Sequence, residues 1–172
     1  MKKAQPLSFF KNYAVAAVIA LATLAAAQGT ATILHPADTQ KLLPASVYYK
    51  GQSAPLQIRN SGGVKFADGY YMLASLVDVS GYSTGIAEKY QAYFITEVPL
   101  KIAGQSLPAG VYGAGFLANG GFVLTDVGGH IVLTAPASND ADLRRPRPLE
   151  VTAAPSGGFR LYFGRRFVPF RR

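Results

Sequence analysis

The sequence predicts an all-β fold, an antiparallel sandwich or flattened barrel of about 8–11 short strands. From Val47 onward, short β-branched, aromatic or alternating runs are separated by Gly, Pro, Asn and Asp. No segment keeps an apolar helical period, since the only helical candidate, residues 86–92, leads into the alternating run 93–98. The predicted strands lie at 46–50, 55–59, 63–67, 70–79, 89–98, 110–118, 121–127, 130–135, 148–154, 158–163 and 166–170.

Residues 1–27 have the pattern of a bacterial signal peptide. A basic region at 2–11 precedes an apolar region at 13–22, and three alanines at 25–27 supply a small-residue cleavage site. The apolar run is shorter than the roughly 20 residues that a spanning helix needs, so an uncleaved anchor is the less favoured alternative. We expect an exported protein, periplasmic or extracellular, without a transmembrane span in its mature form.

The remaining chain predicts a tether at 28–45 and a single β-domain at 46–172. The tether shows no period and contains Pro36 and Pro44. The chain has no cysteine, which excludes disulfides, a lipid-modified cysteine and cysteine metal sites. The two histidines, His35 and His130, have no acid cluster at ligand spacing beside them, so we expect neither a metal nor another cofactor.

The central strands predict a meander with two-residue turns at Asn119-Gly120 and Gly128-Gly129. This register pairs Leu117 with Phe122 and places Gly113 and Gly115 together on one face as a bare stripe. Such a stripe is either a surface for a ligand or a space filled by large side chains of the facing sheet. The second interpretation is favoured.

Residues 81–85 match G-x-S-x-G, the nucleophile elbow of α/β-hydrolases, with Ser83 as nucleophile and Asp126 and His130 following in the right order. The elbow needs a parallel sheet and a following helix, and the pattern predicts neither. The two-residue turns also place Asp126 and His130 on opposite faces. A serine hydrolase is therefore disfavoured, and no catalytic residue is assigned.

Positive charge is concentrated at the C-terminal end of the chain. From Arg144 onward, eight arginines stand against Glu150 alone. These candidate polyanion contacts are Arg144, Arg145, Arg147, Arg160, Arg165, Arg166, Arg171 and Arg172. Several of these arginines stand between aromatic residues. In the run 159–163, Phe159, Leu161 and Phe163 alternate with Arg160 and Tyr162, which predicts that Phe159, Leu161 and Phe163 form a buried row.

These arginines have two interpretations. Pro169 cannot donate a ladder hydrogen bond and so predicts that strand 166–170 lies at a sheet edge, which charged residues would protect from pairing. This reading is favoured over contact with envelope polyanions or another envelope protein. Nucleic acid is a poor partner for an exported chain without a nucleic-acid-binding signature.

The stretch 102–112, which contains G-x-x-L-P-A-G-x-Y, predicts a strand that ends at Gly104, a turn at Pro108 and a further strand that begins at Val111. It resembles an element of uncharacterised secreted bacterial β-domains, the DUF2911-like proteins, and the resemblance implies fold rather than function. Together these features predict an exported, non-enzymatic module with a binding or structural role in the bacterial envelope. The alternative is a lipocalin-like carrier of a small apolar ligand, lined by Gly113 and Gly115.

Overall fold

A computed structural model of the protein describes residues 30–172, and their backbone is dominated by antiparallel β-strands. In chain order the elements are β1 (Thr32–Leu34), α1 (Pro36–Thr39), β2 (Ser46–Tyr49), β3 (Gln52–Lys65), β4 (Tyr71–Val77), α2 (Thr84–Ala87), β5 (Ala92–Thr96), β6 (Leu100–Ile102), β7 (Gln105–Leu107), β8 (Gly110–Phe116), β9 (Gly121–Thr125), β10 (Ile131–Pro136), β11 (Ser138–Asn139), β12 (Glu150–Ala153), β13 (Phe159–Phe163) and β14 (Arg166–Arg171). The predicted all-β class is confirmed. The predicted signal peptide, residues 1–27, lies outside the described residues.

The strands form two sheets. The first has the order β1-β3-β4-β5-β8-β9-β10, and β2 pairs with β3 as well. The second has the order β12-β13-β14-β6-β7, and β11 also pairs with β14. The chain passes between the sheets after β5, after β7 and after β10, so each sheet is built from several parts of the sequence.

The main core lies between the two sheets. Phe94, Phe116 and Phe122 of the first sheet and Leu161 and Val168 of the second are all buried. The rings of Phe116 and Phe163 meet across the interface with 4.8 Å between their centroids. Full burial of each such side chain contributes about 1.5–3 kcal/mol, which gives a cysteine-free domain its stability.

A second apolar cluster covers the other face of the first sheet. Tyr49, Leu56, Leu73, Val77 and Tyr90 are buried there. They come from β2, from β3 and β4, and from the residues that follow α2. Both faces of this sheet are therefore covered, which explains why its strands are apolar on both sides.

The segment 31–45 belongs to the β-domain and is not a tether. β1 pairs with β3, with Ile33 opposite Val64. Thr39 is completely buried, and its hydroxyl lies 2.6 Å from that of Ser61 on β3. The tether prediction was wrong because three residues are too few to show a strand period in the sequence.

Both turns of the central meander are one residue longer than predicted. The amide of Leu117 donates to the carbonyl of Gly121, and that of Asp126 donates to the carbonyl of His130. Gly120 and Gly129 take the left-handed conformation at φ +87° and +85°. This is the three-residue hairpin loop that ends in a glycine bulge.

The longer loops change the pairing of β8. Phe116, and not Leu117, lies opposite Phe122. The predicted pairs of β9 with β10 hold nevertheless, since Leu124 lies opposite Leu133 and Phe122 opposite Ala135. An irregularity between Ile131 and Leu133 restores that register.

Strand β14 is an interior strand, so the predicted edge position was wrong. β13 pairs along one side of it, while β11 and β6 share the other side. The carbonyl of Pro169 accepts from the amide of Ala103, which shows that Pro169 faces the gap between β11 and β6. The missing amide hydrogen falls in that gap, and a proline is tolerated inside the sheet for this reason.

Candidate functional site

The eight C-terminal arginines do not form one surface. Arg160, Arg165, Arg166 and Arg172 form hydrogen bonds or ion pairs with other segments of the domain. Arg144, Arg145 and Arg171 are exposed and form no ion pair among residues 30–172, and Arg147 contacts the nearby Glu150. The sequence could not separate these groups, because the separation depends on which carboxylates and carbonyls lie near each guanidinium.

Arg160 and Arg165 anchor the loop 140–149 to the second sheet. The Arg160 guanidinium lies 4.4 Å from the Phe167 ring centroid and 3.9 Å from the Asp140 carboxylate. The Tyr162 hydroxyl donates to the same carboxylate at 3.0 Å. Arg165 donates to the carbonyl of Ala141 at 2.7 Å. The start of the loop is thereby fixed on the outer face of the sheet.

Arg166 and Arg172 join the two sheets. Arg166 donates to the carbonyl of Leu117 at 2.8 Å, beyond the end of β8. Arg172 forms an ion pair with Asp68, which follows β3. The hydrogen bond from Arg172 holds the pKa of the Asp68 carboxyl below its usual value. These two arginines have structural contacts and are not free to bind a ligand.

The basic loop, defined here as residues 144–147, presents three arginines within four residues. Arg144 and Arg145 are exposed and form no ion pair within the described part of the chain. Arg147 forms one contact, to Glu150 at 3.8 Å, and its backbone carbonyl accepts from Gly164 at 3.0 Å. A loop fixed at both ends therefore carries two exposed arginines, Arg144 and Arg145, that form no ion pair among the described residues.

A cavity of about 230 Å³ adjoins the basic loop where β1, β3 and β12 meet. Arg147 lines it together with Arg59 and His35, while Leu149 and Val151 supply apolar wall. Arg59 comes from the irregular part of β3 and forms no ion pair among residues 30–172. No sequence pattern groups Arg59 or His35 with the C-terminal arginines, since the fold alone brings them together.

The stripe of Gly113 and Gly115 is occupied by other parts of the same chain. A Cβ atom on Gly113 would lie 2.5 Å from the Tyr90 ring and 3.0 Å from the Tyr49 ring. A Cβ on Gly115 would lie 2.7 Å from the carbonyl oxygen of Lys89. Tyrosine rings fill the space beside Gly113, whereas the backbone of Glu88 and Lys89 fills the space beside Gly115. The favoured interpretation expected side chains of the facing sheet, but these groups belong to segments that cover the outer face.

Three tyrosines pack together beside this stripe. The rings of Tyr49 and Tyr90 are stacked with centroids 3.6 Å apart, and Tyr82 meets both edge-on. The Tyr49 hydroxyl hydrogen-bonds to that of Thr125 at 2.7 Å. The Tyr90 hydroxyl is buried without a hydrogen-bond partner among the described residues, and burial raises its pKa.

Asp126 and His130 do hydrogen-bond, contrary to the expectation that they lie on opposite faces. The longer turn brings His130 Nδ1 within 2.9 Å of Asp126 Oδ2. This bond holds the pKa of the Asp126 carboxyl below its usual value. The His130 side chain is 83% exposed. Ser83 is also exposed, precedes the four-residue helix α2, and makes no hydrogen bond to His130 within residues 30–172.

Among the described residues, no group of His, Cys, Asp or Glu is arranged to hold a metal ion. No helix in that part of the chain is long and apolar enough to cross a membrane. Comparisons with protein-family models, with curated proteins and with solved structures find no match for the chain.

Proposed function

We propose that the protein is an exported β-sandwich module that binds an anionic component of the bacterial envelope through the basic loop. The observation that carries this proposal is the contrast between the anchored ends of the loop and its free arginines. Asp140, Arg165 and Gly164 fix the loop, whereas Arg144 and Arg145 project from it without an acidic partner among the described residues. Edge protection no longer accounts for the arginine-rich segment, since β14 is an interior strand.

Electrostatics favour an anionic surface as the ligand. Basic residues close to an anionic membrane contribute about 1 kcal/mol each. The adjoining cavity, lined by Arg59 and Arg147, offers room for part of a headgroup or an acidic sugar. The predicted signal peptide places the protein where anionic lipids and acidic glycans are the abundant polyanions.

The packing favours this module over an apolar carrier. A carrier lined by Gly113 and Gly115 needs free space beside them, and Tyr49 and Tyr90 occupy that space. The cavity beside the basic loop is lined by charged as well as apolar residues.

The test is a charge-removal variant, Arg144→Ser with Arg145→Ser and Arg147→Ser. We expect the wild type to be retained on heparin and on vesicles containing phosphatidylglycerol, and to be released as salt rises. The variant should bind the vesicles on the order of a hundredfold more weakly, from about 1 kcal/mol per arginine.

The matched control removes the same charge elsewhere, by Lys41→Ser with Lys65→Ser and Lys89→Ser, and should retain most of the binding. If both variants lost the same binding affinity, the binding would depend on net charge and not on the basic loop. Unchanged binding of the arginine variant would overturn the proposal, and retention on heparin alone would identify a glycan as the ligand.

A further inference from the structure

An exposed pair of like charges lies on the outer face of the second sheet, well away in sequence from the basic loop. Lys101 on β6 lies directly opposite Arg171 on β14. Their neighbours Ile102 and Phe170 are buried in the core, so Lys101 and Arg171 share the outer face. Side chains directly opposite each other in antiparallel strands have Cβ atoms about 4.5–5.5 Å apart, and like charges there destabilise the sheet.

Among residues 30–172, no carboxylate compensates this pair. In the register of the sheet, Ser106 lies beyond Lys101, and Gly158 lies beside Arg171 and has no side chain. Within the part of the chain that the structure describes, neither Lys101 nor Arg171 forms an ion pair. Arg160 and Arg172, by contrast, each form an ion pair with an acidic residue, Arg160 with Asp140 and Arg172 with Asp68.

The two cations line a shallow cavity of about 350 Å³. Its walls are two turns, one at Ala103-Gly104 and one at Ser156-Gly157, and its lining includes Pro169 but no acid. The volume is near the lower end of the range for small-molecule sites, about 300–1,000 Å³. Gly158 packs closely against this strand, since a Cβ there would lie 2.7 Å from the carbonyl oxygen of Phe170 and 3.0 Å from the Cβ of Arg171.

We propose that this cavity binds a phosphate monoester, with its dianionic group between Lys101 and Arg171. An ammonium supplies a compact point charge and a guanidinium supplies a planar pair of donors, and both suit phosphate oxygens. Two adjacent positive charges match the charge of about −1.5 to −2 that a phosphate monoester carries at pH 7. A sulfate ester or a phosphodiester carries one charge and leaves half of the repulsion uncompensated.

The site is separate from the basic loop, so it can be tested whether or not the loop binds the envelope. The first experiment follows thermal unfolding and calorimetric titration with glucose 6-phosphate at constant ionic strength. We expect saturable binding and a rise in the unfolding temperature. Glucose 6-sulfate at the same ionic strength should bind at least tenfold more weakly.

Two variants locate the site. Lys101→Gln and Arg171→Gln should each weaken glucose 6-phosphate binding by tenfold or more, and the matched control Lys41→Gln should not. Each variant should unfold at a higher urea concentration than the wild type in low salt without phosphate, because the repulsion is removed. The Arg144, Arg145 and Arg147 triple variant should bind glucose 6-phosphate normally, which separates this proposal from that of the basic loop.

Vesicles containing phosphatidic acid distinguish the source of the phosphate. If the vesicles compete with glucose 6-phosphate and Lys101→Gln abolishes this competition, the site binds a lipid phosphate. If the vesicles do not compete, the ligand is a soluble ester. Equal binding of glucose 6-phosphate to wild type and Lys101→Gln would overturn the proposal. Equal binding of phosphate and sulfate esters would overturn the preference for a dianion.

Discussion

The buried hydroxyl group of Tyr90 has no hydrogen-bond partner among residues 30–172, so its removal tests what this burial costs in stability. Removing an unsatisfied buried hydroxyl removes its desolvation cost, so Tyr90→Phe should leave the free energy of unfolding unchanged or raise it by about 1 kcal/mol. Tyr49→Phe is the matched variant. It breaks the bond to Thr125 and should lower that free energy by about 1 kcal/mol. Urea denaturation of both variants measures the contrast.

The raised pKa of Tyr90 also gives a pH dependence. The folded protein holds this phenol proton more tightly than the unfolded chain does, so its contribution to stability is present below about pH 10 and is lost as pH rises further. Tyr90→Phe should therefore reduce the loss of stability between pH 9 and pH 11. An unchanged pH profile in this variant would contradict the burial of the ionisable group.

The glycine stripe can be tested with two alanine substitutions. Gly113→Ala would place a methyl group 2.5 Å from the Tyr90 ring and 2.7 Å from the Thr125 hydroxyl, so it should lower the free energy of unfolding by about 1–3 kcal/mol. Gly85 in α2 is the control, since a Cβ there meets nothing within 4 Å. Gly85→Ala should be neutral or stabilising by up to about 1 kcal/mol, because alanine favours a helix. Similar effects at both positions would contradict the occupied stripe.

At the scale of the element, most of the strands were predictable from residue type and spacing, and the errors have identifiable physical causes. The dipeptides Asn119-Gly120 and Gly128-Gly129 indicated hairpins correctly, but a glycine with positive φ serves both a two-residue turn and a three-residue loop with a bulge. One residue of difference brought Asp126 to His130 and Phe116 to Phe122. β1, β7 and β11 were missed because each has only two or three residues, whereas the strand predicted to end at Gly104 corresponds to β6.

The basic loop gives a prediction at this scale. Asp140 joins the start of the loop to Arg160 and Tyr162, so Asp140→Ala should loosen the start of the loop, although the bonds from Arg165 and Gly164 remain. Trypsin should then cleave after Arg144 several-fold faster than in the wild type, as mass spectrometry of timed digests can measure, whereas Arg145 and Arg147 are each followed by a proline and are not cleaved. Asp142→Ala removes an acid of the same loop whose side chain forms no hydrogen bond or ion pair within residues 30–172, and it should leave the rate unchanged.

At the scale of the whole molecule, the charged residues could be counted from the sequence, but their positions relative to one another in the fold could not be predicted. Leu161 and Phe163 are buried as their alternation with Arg160 and Tyr162 predicted, whereas Phe159 is only partly buried and Tyr162 is buried too. The pairing of Lys101 with Arg171, and the approach of Arg59 to Arg147, depend on which strands become neighbours. Long-range topology of this kind has no local signal in one sequence.

The N-terminal segment of the domain provides the last prediction. β1 covers part of the β3 edge, and Leu34 packs against the second cluster, so a chain that begins at His35 should lose both contacts. The loss of one strand edge and one apolar side chain should cost about 2–4 kcal/mol of unfolding free energy relative to a chain that begins at Gln28. Urea denaturation of the two chains, both without residues 1–27, tests this directly. Equal stability would mean that residues 28–34 add nothing to the folded unit, as a tether at 28–45 would require of them, whereas the expected loss shows that the folded unit begins with β1.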